Sequence, residues 1–117
     1  MSRDDAHLHD ALEAARLACR YVAGLSREQF LAEVEKQDAV IRRLEILGEA
    51  ARRLSEAARA RLPQVPWRPM IGMRNILAHD YGAVDLEAVW RVVTVELPPV
   101  IAALEAELRS EAPETEA

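Results

Sequence analysis

The sequence predicts an all-α protein, a small up-and-down helical bundle. Three observations carry that expectation. Apolar residues recur at helical spacing along the chain, and no stretch alternates as a strand does. Half of the 117 residues are apolar and 30% are charged, which supplies one compact core but no room for a second nucleotide-binding lobe. Helix-start residues precede the apolar stripes at Ser26, Ser55 and Asp85.

Each element follows from its own pattern. Leu8, Leu12, Ala15, Cys19 and Val22 form a first stripe, which Gly24 closes. Leu25 to Phe30 reads as a helix start: Ser26 caps, Gln29 completes a capping box, and Leu25 is placed to staple onto Phe30. Val40, Ile41, Leu44, Leu47, Gly48, Ala51 and Leu54 fall within a sector of about 140° at 100° per residue, as an amphipathic helix requires. The opposite stripe, Arg42, Ile46, Glu49 and Arg53, reads as an exposed ion-paired face, with Ile46 the one hint that it meets a partner.

Ser55 starts a short segment that ends at Pro63, and Pro63, Pro66 and Pro69 punctuate a connection. A helix carrying Met70, Met73, Ile76 and Leu77 begins at about Trp67 or Pro69 and stops near Gly82. Asp85 caps a last helix with Leu86, Val89, Trp90, Val93 and Leu97 facing inward. Pro98-Pro99 is expected to kink or break it before Val100, Ile101, Leu104 and Leu108 resume the stripe. The expected division is a helical domain over residues 1–108 and an acidic, flexible tail over 109–117.

Several function classes fall away. No apolar run approaches the ~18 residues of a membrane span, and the first residues lead into no apolar signal segment, so a cytoplasmic protein without a membrane partner is expected. The single cysteine, Cys19, excludes an intrachain disulfide and reads as a small core residue. His7 and His9 lie about 200° apart on a helix and read as solvated; no metal-ligand spacing occurs, so no metal is expected. No glycine-rich phosphate loop or serine nucleophile elbow is present, so no nucleotide cofactor is expected.

A net charge of −5 argues at first against nucleic acid, but the charge is unevenly spread. Residues 40–74 carry eight arginines against Glu45, Glu49 and Glu56, a balance of +5, inside an otherwise acidic chain. All but one of the 15 basic residues are arginine, the side chain suited to bidentate phosphate contacts, although a genome-wide arginine bias gives the same count.

That basic segment leads into Arg74-Asn75-Ile76-Leu77-Ala78-His79-Asp80-Tyr81-Gly82. Asn75 and His79 lie about 40° apart around a helix, whereas Arg74 and His79 lie some 140° apart. One copy therefore converges poorly on a single phosphate, and two copies across a two-fold axis would supply a symmetric cluster. Histidine can take or give a proton at a ribose 2′-hydroxyl or a leaving oxygen, and arginine can hold the phosphate. Asn75 can orient the imidazole or bind a phosphate oxygen; Asp80 can set the tautomer or be solvated. The same spacing also fits His79 and Tyr81 closing a helix end, with Arg74 in a structural ion pair.

At these residues the sequence resembles the HepT-like branch of the HEPN superfamily. The shared motif is R-x-x-x-x-H-x-Y, here Arg74, His79 and Tyr81, with Asn75 also fitting. The likeness extends through Phe30, Gln37 to Ile41, Ile46 to Ala50, Pro66-Trp67, Gly72 to Asn75, Val84-Asp85, Val89-Trp90 and Leu97-Pro98, roughly residues 8–108. The resemblance implies an all-α, two-fold symmetric dimer whose two Arg/His pairs meet in a cleft. It implies a metal-independent endoribonuclease acting on tRNA or mRNA, the toxin of a bacterial type VII toxin–antitoxin pair. The implied partner is a minimal nucleotidyltransferase that adds AMP to the motif tyrosine, here Tyr81, with ATP as that partner's substrate. Two alternatives stay open beside it: a non-catalytic substrate-binding subunit of a two-component nucleotidyltransferase, and a purely structural helical dimer. Five aromatic residues leave no obvious stacking platform for RNA bases.

Overall fold

A computed structural model describes residues 3–79 and 84–111 of the chain. All its regular elements are helical: α1 (Arg3–Val22), α2 (Arg27–Ala32), α3 (Val34–Arg53), α4 (Glu56–Ala60), α5 (Trp67–His79), α6 (Leu86–Arg91) and α7 (Leu97–Glu111). A π-helical turn, Val92–Glu96, joins α6 to α7. The all-α bundle expected from the apolar periodicity is therefore the fold. No helix among the described residues is long and apolar enough to cross a membrane.

The local signals explain most boundaries. Gly24, at φ 82°, takes the left-handed conformation that ends α1. The Ser26 hydroxyl accepts from the Gln29 amide, and the Gln29 side chain accepts from the Ser26 amide, closing the capping box. Ser55 caps α4, and its own amide and hydroxyl donate to Asp4 at 2.9 and 2.7 Å, tying the start of α1 to the start of α4. These bonds from Ser55 hold the Asp4 carboxyl below its ordinary pKa. Asp85 accepts from the Glu87 and Ala88 amides and so starts α6.

Two of the remaining boundaries depart from the sequence pattern and one follows it. The chain breaks at Glu33, which is extended between α2 and α3. Buried Gln37 bridges that break by donating to the Phe30 carbonyl at 3.0 Å. Helix α5 starts at Trp67, one of the two expected starts, and Pro69 lies inside its first turn, where the missing N–H has no intrahelical acceptor to serve. Pro98 and Pro99, expected to kink or break the last helix, sit in the first turn of α7. They offer no N–H to the carbonyls of the preceding turn, and the helix widens there: the Leu97 N–H donates to the Val92 carbonyl, five residues back. Helix α7 itself continues to Glu111, into the expected tail, and residues 112–117 lie outside the described residues.

Helix α3 is the centre of the bundle. It packs against α1 on one side and α5 on the other, while α1 also packs against α7 and the π turn. The core is aliphatic, with Leu8, Leu47, Val40, Leu97 and Leu104 essentially out of water, and Phe30 stacks at a tilt on Trp90 with centroids 5.4 Å apart. Cys19 is half-buried against this core; its thiol lies 3.5 Å from the Val93 carbonyl, and burial raises its pKa, which disfavours the nucleophilic thiolate.

Helix α5 is the least buried of the long helices. Trp67 and Leu77 are its buried residues, and Ile76, expected among its apolar positions, is 53% exposed. The Trp67 indole donates to the Arg59 and Leu62 carbonyls and fixes the helix start on the preceding loop. What seats the rest of α5 is a glycine on α3. A Cβ at Gly48 would stand 2.3 Å from the Arg74 Cβ and 3.0 Å from the Met70 carbonyl oxygen, so the two helices touch through the missing side chain.

Gly48→Ala is accordingly expected to destabilise the fold. Alanine gains up to ~1 kcal/mol in helix propensity, but overpacking a close helix contact costs ~1–3 kcal/mol, and backbone on both helices leaves little room to yield. The denaturant midpoint checks this; a variant as stable as the wild type would show that α5 does not depend on the contact.

Candidate active site

The Gly48 contact places Arg74 on the inner side of α5, facing α3. Its side chain is 27% exposed, and both ends of the guanidinium are held. One terminal nitrogen, Nη2, lies 3.2 Å from Glu49 Oε1. The other, Nη1, donates to Asn75 Oδ1 at 2.9 Å. Glu49 also accepts from Arg52, which spans both oxygens at 3.2 Å to Oε1 and 2.8 Å to Oε2, and from Arg53 at 2.8 Å through Oε2. One carboxylate thus gathers three guanidiniums, and the cluster keeps a positive excess suited to an anion.

Hydrogen bonds from Arg52 and Arg53, and then the charges of Arg52 and Arg74, pull the Glu49 pKa from its ordinary 4.5 to about 2, against a smaller opposing effect of burial. The carboxylate is therefore ionised throughout the neutral range. A group so acidic is a poor general base; it serves as a fixed counter-ion.

Around this cluster lies a cleft of about 320 Å³. Arg74 and Ala78 of α5 form one wall, His7 and Asp10 of α1 another, and Arg42, Glu45, Ile46, Glu49, Ala50 and Arg53 of α3 the floor. The α3 face read from sequence as an exposed ion-paired surface does make the Glu49–Arg53 pair, and it is also the floor of the Arg74 cleft. Ile46 packs partly buried against the core there. His7, read as solvated, is half-buried in the cleft wall, whereas His9 is exposed.

His79, the last residue of α5, is exposed and does not line the cleft. Asn75 is exposed on the same helix, and its carbonyl oxygen serves Arg74. The structure thus brings Arg74 together with Asn75 and Glu49, and it leaves His79 on another side of α5, as the spacing of about 140° requires. Asp80 and Tyr81 lie outside the described residues. Among the described residues no group of three or more His, Cys, Asp or Glu is placed to hold a metal ion.

Glu49 is the residue that sequence reasoning undervalued. The one signal near it is Gly48, whose place inside an apolar stripe marks a close helix approach but does not say which element approaches. Nothing in the sequence signals the place of His7, which depends on how α1 lies over α3.

A family description reading "Ribonuclease HepT-like" matches residues 11–107. The chain belongs to the HepT-like ribonuclease family. Its relatives include "Putative RNase MJ1380" of Methanocaldococcus jannaschii, 37% identical over 102 residues, covering 86% of this chain and 94% of the relative. "Probable ribonuclease HepT" of Thermococcus cleftensis is 37% identical over 92 residues, covering 79% of this chain and 84% of that protein. "Putative RNase TTE0752" of Caldanaerobacter subterraneus is 33% identical over 92 residues, or 79% and 82% of the two chains. No solved structure matches the chain. The family resemblance drawn from the R-x-x-x-x-H-x-Y motif and its surroundings is thus borne out.

The Glu49 network carries a pH signature. Because the folded pKa is depressed, its stabilisation is fully present above about pH 4.5 and is lost as pH falls through about 2. Wild type and Glu49→Gln should differ in unfolding free energy by a constant amount above that range, on the order of 1 kcal/mol for a partly screened network. The difference should shrink toward pH 2; one that stays flat across the acidic range would contradict the network.

Proposed function

We propose that this HepT-like chain is a metal-independent RNA endonuclease that works as a pair of copies. The observation that carries the proposal is the seating of Arg74: a half-buried guanidinium, held by Glu49 and Asn75 within a net-positive cluster, on the helix that ends in His79. The ribonuclease names of the relatives give the substrate class.

In this reading Arg74 binds the scissile phosphate and offsets charge developing on its oxygens. The ribose 2′-hydroxyl attacks phosphorus, one His79 imidazole takes its proton, and the bond to the 5′-oxygen breaks as a second imidazole protonates that oxygen. The products are a 2′,3′-cyclic phosphate and a free 5′-hydroxyl, with no water or metal consumed in the step. Two His79 imidazoles require two copies. The outward face of α5 supports such pairing: Ile76 is 53% exposed, and Gly72 is exposed with nothing within 4 Å of where a Cβ would stand. A second copy seated on this face brings the two His79 side chains toward one another. Asn75 supports Arg74 through its carbonyl oxygen, and Asp80 is assigned the role of fixing the His79 tautomer.

The biological reading follows the resemblance. The chain acts as the toxin of a toxin–antitoxin pair, cuts tRNA or mRNA, and is silenced when a minimal nucleotidyltransferase transfers AMP from ATP to Tyr81. A phosphate placed two residues past His79 would compete with RNA for Arg74 and obstruct the imidazole.

Purified protein is expected to cleave a tRNA pool in EDTA and to leave DNA of matched sequence intact. Arg74→Ala and His79→Ala should each reduce the rate by about 10²-fold or more. Cleavage that survives both substitutions would overturn the site assignment, and a strict requirement for added metal would overturn the mechanism. Co-expression with the transferase should raise the intact mass by one AMP per chain and lower cleavage. A mass gain retained in Tyr81→Phe would reject that tyrosine as the modified residue.

A further inference from the structure

Arg74 is held at both ends, and two adjacent residues of α3 do most of the holding. Gly48 admits the Arg74 Cβ and Cγ to the surface of α3 and so fixes where the side chain begins. Glu49 takes Nη2 at the other end, 3.2 Å from Oε1, while Asn75 takes Nη1 at 2.9 Å. The hydrogen bond to Asn75 and the ion pair with Glu49 engage both terminal nitrogens and restrict where the guanidinium can lie. We propose that Glu49 is a positioning residue of the ribonuclease site, holding the Arg74 guanidinium in the orientation in which it receives the RNA phosphate. This rests on the reading of Arg74 as the phosphate ligand.

Two further observations separate this role from that of a surface ion pair. Glu49 and Arg74 are 26% and 27% exposed, whereas Arg52 and Arg53 on the same carboxylate are 53% and 58% exposed. The more shielded partner is thus the one that reaches across from another helix, where the carboxylate is least screened by solvent. Arg52 and Arg53 meanwhile keep Glu49 ionised throughout the neutral range, so its charge toward Arg74 does not vary there. The stabilisation that Arg74 provides in the transition state then requires no reorganisation of the arginine during the reaction.

Glu49→Gln keeps the shape and one acceptor oxygen but removes the charge. The test measures kcat and KM on one RNA for wild type, Glu49→Gln, Arg74→Lys and the double variant, at a temperature well below each melting point. Glu49→Gln is expected to lower kcat about tenfold with KM changed less than about threefold, because the arginine is mis-set for the transition state. In the Arg74→Lys background, where there is no planar fork to hold, the same substitution should change kcat by less than about twofold. Should Glu49→Gln not fold, Glu49→Asp, which shortens the reach by one methylene, takes its place with the same expectations. Losses that multiply in the double variant would overturn the inference, since Glu49 would then act independently of Arg74. A Glu49→Gln protein as active as wild type, while Arg74→Ala is inactive, would overturn this inference alone and leave the ribonuclease site standing. Wild-type cleavage by Arg74→Ala would overturn the site itself.

Discussion

Helix α5 lies against α3 through a position that has no side chain. At Gly48 any Cβ would stand 2.3 Å from that of Arg74, so the helices could not keep their present spacing with a larger residue there. Much of the site follows from this contact. It turns Arg74 inward, within 3.2 Å of Glu49, and it makes the charged face of α3 the floor of a cleft in place of an open surface. It also leaves α5 shallowly buried, anchored by Trp67 at one end and Leu77 near the other.

The same helix geometry separates the two motif residues. With Arg74 committed to α3, a residue five positions on lies about 140° around the helix, and His79 is exposed outside the Arg74 cleft. A protomer by itself therefore holds a phosphate ligand and an imidazole on different sides of one helix. Pairing of two copies through the outer side of α5, as proposed, joins the two imidazoles. The exposed Ile76 and Gly72 lie on the side of α5 where such pairing would occur. The net charge of −5 does not oppose an RNA partner in this arrangement, because the +5 segment of residues 40–74 supplies Arg42, Arg53 and Arg74 to the cleft.

Much of the fold was legible in the sequence, because caps and apolar stripes are local. The Ser26–Gln29 box, the Ser55 and Asp85 caps and the start of α5 at Trp67 all follow from neighbouring residues. Features set by partners distant in sequence were not legible. The break at Glu33 is stabilised by Gln37 reaching the Phe30 carbonyl, and no breaker residue marks it. The doubled proline announced a disturbance but not its form, a π turn that keeps the helix continuous. At the site, the motif on α5 could be read, yet the role of Glu49 could not, since an i to i+4 pair with Arg53 explains that residue fully until α5 is laid beside it.

The claim at the centre of this account is that one copy cannot complete the site, because each cut uses the His79 imidazoles of two copies. Mixing wild type with increasing shares of the His79→Ala protein at fixed total concentration, with subunit exchange, tests it most directly. If each cut needs both imidazoles, a mixed pair is inactive, and RNA cleavage should fall as the square of the wild-type fraction. If each copy cuts by itself, cleavage should fall only in proportion to that fraction; that result would contradict the account.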